Sequence, residues 1–308
     1  MVMNILLTGA SGFLGNIICN KLSGENHLIT LGRNAPCNST DHIICDLGRQ
    51  VPIFGSGVKI DMVVHAAGKA HIVPRSLEEA DNFYEVNYKG TLRLLEGLDA
   101  LPVKPRAIVF ISTVAVYGYD KGTDIDEGHK TNGNSPYALS KIKAEAALRE
   151  WAVKNNLNCT ILRLPLIAGA NPPGNLGKMI NTISKSRYIR ISGNHARKSM
   201  VLGEDVARLI PSLCDRNGIF NLTDGEHPSF YAIEEAIRNK YKKNIYFIIP
   251  KWLLKGAARL GDLCARFGLP ALFTSETFEK ITCTLTFSDD KARKELNWKP
   301  HSSLTFLQ

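Results

Sequence analysis

The chain has 308 residues, of which 44% are hydrophobic and 22% are charged, a balance typical of a globular protein with a sizeable core. No apolar run approaches the roughly 20 residues that a membrane-spanning helix needs, and the first residues show no basic leader, so we expect no signal peptide. The seven scattered cysteines contain no CxxC pair, which predicts reduced thiols, a cytoplasmic protein and no metal site.

The charge is concentrated in one half of the chain. Residues 1–150 carry 15 Lys and Arg against 16 Asp and Glu, whereas residues 151–308 carry 23 against 13, within a net charge of +9. A basic second half suits nucleic acid, a membrane surface or a polyanionic small molecule. No nucleic-acid-binding module is visible, so we expect no nucleic-acid partner.

Short runs rich in Val, Ile and Leu alternate with helical patterns through the first two-thirds of the chain. Such runs suit strands that are buried on both faces of a parallel sheet. The predicted strands are residues 4–9, 27–32, 42–46, 61–68, 107–113 and 159–165. This alternation predicts an α/β fold with a doubly wound parallel sheet of the Rossmann type. We expect residues 1–170 to form the dinucleotide-binding core, to which a later strand or helix could return. Residues 171–308 would form a smaller C-terminal substrate-binding lobe.

The first predicted strand runs directly into the glycine-rich stretch "TGASGFLG", which places Gly9, Gly12 and Gly15 at the start of a helix. The first glycine permits a tight turn, the second lets the backbone approach a pyrophosphate, and the third allows close packing of helix on strand. The backbone amides and the positive dipole end of the helix then stabilise the diphosphate. The alternative, a plain glycine-rich turn, fits this context poorly.

The second and third predicted strands end in residues that bear on cofactor choice. The second ends in "LGRN", with Arg33 where NAD-binding folds carry an acid for the ribose hydroxyl. An arginine there suits a 2′-phosphate and favours NADP, with NAD as the second possibility, unless Arg33 is simply a solvated loop residue. Asp46 ends the third strand and could bind the adenine amino group or cap the following turn.

The stretch "SPYALSK" places a tyrosine and a lysine four residues apart on one helix. Ser135 is a good N-cap and Pro136 suits the first helical position, so Tyr137 lies in the first turn with Lys141 on the same face. A nearby ammonium should lower the pKa of the phenol and make it a usable acid or base. Thr113 ends the fifth strand, where it could bind the same substrate oxygen as Tyr137.

These motifs together make the chain similar to the extended short-chain dehydrogenase/reductases of the nucleotide-sugar epimerase/dehydratase family. The resemblance is carried by "TGASGFLG", "CDL", "HAAG", "VNYKGT", "STVAVYG", "YALSK", "LRLPLIAG" and "KARKELNWKP". It implies that Thr113, Tyr137 and Lys141 are the catalytic Ser/Thr, Tyr and Lys. It also implies a cytoplasmic homodimer, formed through helices that flank the sheet, acting on a nucleotide-diphosphate sugar.

The resemblance also implies two sets of binding residues. The cofactor-binding set comprises Gly9, Ser11, Gly12, Phe13, Leu14, Gly15, Arg33, Asp46, Leu47, Ala66, Ala67, Gly68, Asn87, Tyr137 and Lys141, in which Asn87 holds the active-site helix and its water. The substrate-binding set comprises Thr113, Asn175, Leu176 and Arg197, with Arg197 on the sugar-nucleotide diphosphate. The solvated alternative for Arg197 stays open, and Glu204 replaces the aspartate that the family carries seven residues later.

The reaction is narrowed by the residues that follow the catalytic threonine. Similar dehydratases carry an acid pair there, but this chain has Val114 and Ala115, which cannot move protons. Two reactions at sugar C4 remain. The first is a 4-keto reductase resembling the enzymes that make 6-deoxy-N-acetylhexosamines for bacterial surface polysaccharides, which the "LGRN" strand end favours. The second is a UDP-hexose or UDP-N-acetylhexosamine 4-epimerase that retains its NAD. A non-catalytic dinucleotide sensor on the same fold is a remote alternative, because sensors tend to lose the tyrosine or lysine.

A basic amphipathic helix is predicted after residue 250. An apolar stripe with spacings of four and three comprises Leu253, Ala257, Leu260, Cys264 and Phe267, and four cations occupy much of the other face: Lys251, Lys255, Arg259 and Arg266. Such a helix could lie on an anionic membrane surface. The more common arrangement, which we expect here, packs the apolar stripe on the helix's own lobe.

Overall fold

The computed structural model describes residues 2–36, 41–70, 74, 76–266 and 273–307. Its strands are β1 (Asn4–Thr8), β2 (His27–Gly32), β3 (Asp41–Ile44), β4 (Met62–His65), β5 (Ala107–Thr113), β6 (Gly122–Ile125), β7 (Asn158–Leu164), β8 (Leu166–Ala168), β9 (Ile189–Ser192), β10 (Met200–Leu202), β11 (Gly218–Asn221), β12 (Phe247–Pro250) and β13 (Leu285–Phe287). Its helices are α1 (Phe13–Leu22), α2 (Leu77–Phe83), α3 (Gly90–Asp99), α4 (Pro136–Lys154), α5 (Gly174–Ser184), α6 (Gly203–Leu209), α7 (Phe230–Tyr241), α8 (Lys251–Arg266), α9 (Ser275–Thr282), α10 (Asp290–Leu296) and α11 (Ser303–Leu307).

The main sheet of the described chain has seven parallel strands in the order β11-β7-β5-β4-β1-β2-β3. The strand order reverses between β1 and β4, which is the switch point where doubly wound sheets bind dinucleotides. Both faces of the sheet are covered: α1 and α6 pack on one face, and α3 and α4 pack on the other. The predicted α/β fold with a doubly wound parallel sheet is confirmed.

Two predicted elements differ from the observed ones in ways that shape the site. The fourth strand ends at His65 rather than at residue 68, because Ala67 turns out of the sheet and donates its amide to Thr8 Oγ1 at 3.1 Å. The long helical pattern after residue 77 is interrupted by a π-helical segment at Tyr84–Lys89, which joins α2 to α3. Such segments often occur at functional sites, and this one contains Asn87.

The second half of the chain contributes to both parts of the molecule. Strand β11 returns to the main sheet beside β7, and α6 packs on α1. A separate apolar cluster joins α5, α7, α11 and the short pair β8–β10. Strand β13 pairs with β6, so the end of the chain is tied to the loop that precedes the Tyr137 helix. The smaller lobe therefore lies against the same edge of the sheet as the predicted site.

The amphipathic helix packs on its own lobe as expected, but the predicted apolar stripe is not the side that it buries. Helix α8 forms as predicted, but its one buried described residue is Ala258, and Leu253 and Leu260 of the predicted stripe are exposed. The helix faces its neighbours with a different side, because Gly261 lies where a Cβ would come within 1.9 Å of the Phe273 carbonyl oxygen. Phe267 lies outside the described residues.

Candidate active site

The glycine loop between β1 and α1 has the backbone shape that a pyrophosphate requires. Gly9 has φ +75°, and a Cβ there would come within 2.6 Å of the Ala67 amide nitrogen. At Gly15 a Cβ would come within 2.0 Å of the Gly9 carbonyl oxygen, so only glycine allows the helix this close. Gly12 is the N-cap of α1 and makes no side-chain cap, which leaves the first amides of the helix open. The loop therefore fits a dinucleotide diphosphate.

The ends of β2 and β3 place the two residues that bear on cofactor choice. Arg33 follows β2 as an exposed side chain, and none of the described residues 33–36 is an acid. Asp46 Oδ1 accepts a hydrogen bond from the Gly48 amide at 3.0 Å, so it caps the turn after β3. Leu47 is buried directly after it. The arginine stays a candidate partner for a 2′-phosphate, while the aspartate has a local structural partner.

Three predicted catalytic side chains meet at the carboxyl end of β5 and the start of α4. Ser135 caps α4 by accepting from the Ala138 amide, and Pro136 is its first residue, as the pattern predicts. This places Tyr137 in the first turn, half-buried, with its ring 5.9 Å from that of Phe83. The Thr113 hydroxyl at the end of β5 lies close enough to the Tyr137 phenol to lower its pKa. A substrate oxygen at this point could contact both hydroxyls.

The predicted lowering of the tyrosine pKa is not what the structure shows. Burial raises the pKa of Tyr137 to about 12, and the nearby Thr113 hydroxyl offsets only part of that rise. Burial also lowers the pKa of Lys141 to about 8, with Glu145 acting in the opposite direction. The Lys141 Nζ donates to the Ile111 carbonyl at 2.8 Å rather than to the phenol. Desolvation therefore dominates the pKa of both groups, and the phenol is protonated at neutral pH.

Lys141 is held in place by the strands beneath it. Its Nζ lies 4.4 Å from the centroid of the Phe110 ring, and a Cβ added at Gly68 would come within 3.3 Å of the same nitrogen. A glycine after β4 therefore gives the ammonium room beside the site. With 5% of its surface exposed, this cation has lost most of its hydration.

Phe110 also contacts a histidine that sequence reasoning did not single out. His65 stacks on that ring with centroids 5.4 Å apart. Its Nδ1 pairs with Thr8 Oγ1 at 2.7 Å, and its Nε2 pairs with Thr91 Oγ1 at 2.9 Å. Burial, followed by repulsion from Lys141, lowers the pKa of His65 to about 3, so the ring is neutral and links β1, β4 and α3. The only feature of the sequence that pointed to His65 was its place in the "HAAG" motif.

Asn87 connects the π-helical segment to the Tyr137 helix. Its Nδ2 donates to Ser140 Oγ at 2.9 Å and to the Lys69 carbonyl at 3.1 Å, and its Oδ1 accepts from the Lys69 amide. Ser140 Oγ in turn donates to the Tyr137 carbonyl at 2.8 Å. The buried amide thus fixes both the turn after β4 and the first turn of α4. Ser140 is a positioning residue that the sequence pattern did not reveal.

A buried ion pair lies next to the catalytic residues, between α4 and β7. Arg163 Nη2 lies 2.7 Å from Glu145 Oε2, and Ser112 Oγ donates to the other carboxylate oxygen at 2.5 Å. The Arg163 guanidinium also lies over the Tyr117 ring at 4.8 Å. Because Glu145 is one turn after Lys141 on α4, its negative charge favours the protonated lysine.

A cavity of about 270 Å³ extends from the catalytic end of β5 into the smaller lobe. Its walls include Val114 beside Thr113, and both Asn175 and Leu176 from the start of α5. The cations that line it are Lys198 and Lys280. Arg197 is exposed and is not among the lining residues, because neighbouring residues at this bridge point in opposite directions. The structure therefore brings Lys198, rather than Arg197, to the cavity.

Comparison with known proteins agrees with this geometry. The model of the NAD dependent epimerase/dehydratase family matches residues 5–222. The chain belongs to this family. Its relatives include the UDP-glucose 4-epimerase of Vibrio cholerae, 25% identical over 99% of this chain and 93% of that protein. Another is the N-acetyl-α-D-glucosaminyl-diphospho-ditrans,octacis-undecaprenol 4-epimerase of Escherichia coli O157:H7, 29% identical over 67% of this chain and 62% of that one.

A solved structure of similar fold is the UDP-glucose 4-epimerase of Thermotoga maritima with UDP-glucose. It superposes with a TM-score of 0.74 at 19% identity, covering 99% of this chain and 96% of that one. The predicted family resemblance is confirmed, and the chain is a nucleotide-sugar epimerase or a related oxidoreductase.

For a member of this family, the structure brings most of the predicted site residues to one edge of the sheet. The glycine loop, Thr113, Tyr137, Lys141 and Asn87 surround the switch point, and Asn175 and Leu176 line the adjoining cavity. Arg197 lies outside this group. Among the described residues, no cluster of three His, Cys, Asp or Glu side chains could hold a metal ion.

Proposed function

We propose that the protein transfers a hydride at C4 of a nucleotide-diphosphate sugar, with Tyr137 as the acid and base. A bound nicotinamide dinucleotide would supply or accept the hydride, held by the loop of Gly9, Gly12 and Gly15. The observation that carries the proposal is the placement of Tyr137 one helical turn before Lys141 and close to Thr113, at the carboxyl edge of the sheet next to this loop.

In the reducing direction the 4-keto oxygen takes a proton from Tyr137 as a hydride arrives at C4, giving the 4-hydroxyl. The raised pKa of Tyr137, about 12, keeps this proton in place at neutral pH until the developing alkoxide accepts it. Thr113 orients the same oxygen. In the oxidising direction the tyrosinate removes the hydroxyl proton, and the Lys141 ammonium stabilises it at short range. The Lys141 ammonium would also donate a hydrogen bond to a ribose hydroxyl of the cofactor.

Epimerisation at C4 is the outcome that the relatives favour. The V. cholerae relative, which this chain matches over nearly its whole length, is a UDP-glucose 4-epimerase, and the E. coli relative is also a 4-epimerase. Both names describe a sugar on a diphosphate. In this outcome the hydride leaves C4 and returns to its opposite face, so the cofactor is unchanged after each turnover.

Net reduction of a 4-keto sugar is the second candidate, and the strand end after β2 favours it. Arg33 is exposed there without an acid nearby in sequence, which suits the 2′-phosphate of NADP. NADP is the usual cofactor of reductive biosynthesis, in which the cofactor is exchanged at every turnover. We therefore propose NADP as the cofactor if the protein is a 4-keto reductase, and a retained NAD if it is an epimerase.

The cavity beside Thr113 would hold the sugar diphosphate. Lys198 is partly buried there, and burial lowers its pKa from the usual lysine value, so an anion that replaces the lost hydration would bind well. Leu176, Phe230 and Phe287 provide apolar walls for the sugar and base. Lys280 lines the same cavity but is already paired with Glu276. We propose Lys198 as the main diphosphate contact.

The test uses the full chain with two substrate classes. With UDP-glucose or UDP-N-acetylglucosamine and NAD, appearance of the C4 epimer without net loss of cofactor identifies an epimerase. With a UDP-4-keto-6-deoxy sugar and NADPH, loss of reduced nicotinamide absorbance, one per sugar, identifies a reductase. Tyr137→Phe should lower kcat by roughly 10²–10⁴ while keeping dinucleotide affinity. If the wild type binds dinucleotide but converts neither class, the proposed C4 chemistry is wrong.

A further inference from the structure

Helix α8 exposes large apolar side chains instead of burying them. Trp252, Leu253, Leu260 and Leu263 have between 49% and 73% of their surface exposed. These four residues span roughly a third of the helix circumference at 100° per residue, so they form one continuous face. A single exposed leucine is ordinary, but a contiguous set on one helix marks an interaction surface.

The strand before the helix also exposes apolar side chains, which alternate between its two faces. Tyr246, Phe247 and Ile248 are each more than half exposed, and β12 runs directly into α8. Phe247 pairs in register with Ile189 of β9, which is also half exposed. We call the exposed surface of α8 the apolar face. It comprises Trp252, Leu253, Leu260 and Leu263.

The side of α8 that packs on the rest of the protein carries few large buried side chains. Ala258 is fully buried, Leu254 is partly buried, and Gly261 lies close to the Phe273 backbone. These positions are three or four residues apart, so they define the inward side of the helix. A glycine at 261 holds the helix against the lobe in an orientation that turns the tryptophan and leucines outward. The apolar side chains of α8 are thus exposed because of how the helix packs on the lobe.

A row of cations flanks the apolar face. Lys251, Lys255, Arg259 and Arg266 are exposed and lie within about 80° of one another around the helix. The exposed acid of this helix, Asp262, accepts a hydrogen bond from the Ser275 amide at 2.9 Å. Lys242 and Lys243 are exposed shortly before β12. The combination is an apolar stripe bordered along one side by positive charge.

We propose that the apolar face and its cation row dock the protein on the surface of an anionic phospholipid membrane. The charge complementarity selects this partner: lysine and arginine side chains reach lipid phosphates while Trp252 and the leucines enter the headgroup and acyl boundary. The described chain contains no helix long and apolar enough to cross a membrane. The protein therefore lies on the bilayer without spanning it.

The docking surface is connected to the substrate cavity through α9. Helix α9 packs against α8, and the Lys251 Nζ approaches the Thr282 carbonyl at the end of α9 at 3.5 Å. Lys280 on α9 lines the cavity. A membrane-bound α8 would thus sit one helix away from the proposed diphosphate site. The inference goes beyond the proposed C4 chemistry and does not depend on it.

The test is flotation of the full chain with two kinds of vesicle, phosphatidylcholine alone and phosphatidylcholine mixed with phosphatidylglycerol. We expect wild type to float with the anionic vesicles, with an affinity that falls as salt rises, and to stay unbound with the neutral ones. The double reversal Lys255→Glu with Arg259→Glu should lower vesicle affinity by at least roughly thirtyfold, since each cation near the surface contributes about a factor of five. Leu260→Asp should also abolish flotation.

Matched control variants test whether the loss of vesicle binding is specific to α8. Lys59→Glu with Lys130→Glu makes the same change in net charge at exposed positions elsewhere, and Ile53→Asp places an acid at a residue that is 88% exposed. Both controls should float like wild type, and circular dichroism should show that every variant is folded. Absence of wild-type flotation, or equal loss in the two double reversals, would overturn the proposal. So would a dimer that Leu260→Asp dissociates while flotation persists, because the face would then bind a second copy of the chain.

Discussion

The buried ammonium of Lys141 makes a measurable prediction about stability against pH. The folded pKa is about 8, whereas a lysine in an unfolded chain titrates near 10.5. Between these values the unfolded chain holds more protons than the folded one, so stability due to this group rises with pH across that window. At pH 7 both states are protonated, and the full cost of burying the charge, roughly 3 kcal/mol, opposes folding.

The variant Lys141→Met removes this titration while keeping the length of the side chain. It also removes the hydrogen bond to the Ile111 carbonyl, which adds a destabilising contribution that changes little with pH. The difference in unfolding free energy between variant and wild type should therefore change by roughly 2–3 kcal/mol between pH 7 and pH 10, in the direction that favours wild type at high pH.

Urea unfolding followed by circular dichroism at pH 7, 8, 9 and 10 measures this difference. Lys59→Met is the matched control, because Lys59 is exposed and its replacement should leave the pH slope of wild type unchanged. A pH-independent difference between Lys141→Met and wild type would refute the claim that burial controls this ammonium. Catalytic turnover should fall in Lys141→Met at every pH, while Lys59→Met should keep wild-type activity.

Three further predictions address the cofactor loop, cofactor choice and the site's support. Gly15→Ala should weaken dinucleotide binding at least tenfold by fluorescence titration, since its Cβ would come within 2.0 Å of the Gly9 carbonyl oxygen; unchanged affinity would contradict the loop assignment. Arg33→Glu should shift the ratio of kcat/KM for NADPH over NADH toward NADH by at least about tenfold; an unaltered ratio would mean that Arg33 is a solvated residue. Asn87→Ala should lower the free energy of unfolding by about 1–3 kcal/mol and reduce kcat, because it leaves the Lys69 backbone and Ser140 without their buried partner; stability and kcat equal to wild type would exclude a positioning role.

Local patterns were enough to predict the elements that carry the chemistry. Short runs of Val, Ile and Leu predicted the buried strands. Ser135 as the N-cap and Pro136 as the first residue predicted where the helix of Tyr137 and Lys141 begins. The glycine spacing at 9, 12 and 15 predicted the turn from β1 into α1, where a Cβ at Gly9 or Gly15 would come within 2.6 Å or 2.0 Å of backbone atoms. The strand runs, the helix cap and the approach of Gly15 to Gly9 depend on neighbours within a few residues, so the linear sequence contains them.

Long-range packing decided the rest. His65 is neutral because it is buried between Thr8 and Thr91, which lie far from it along the chain. The acid strengths of Tyr137 and Lys141 depend on how completely the surrounding strands exclude water. No local rule gives these environments, and desolvation reversed the expected direction for the phenol.

The amphipathic helix α8 shows the difference between what the sequence determined and what the tertiary structure decided. Its period of three and four residues determined that residues 251–266 would be helical, with one apolar and one cationic side. Which side faces the protein was decided by a contact across space, the Phe273 backbone against Gly261. Periodicity fixes the angles between side chains around a helix axis, whereas rotation of that axis against the lobe depends on partners that the helix meets only once the chain has folded.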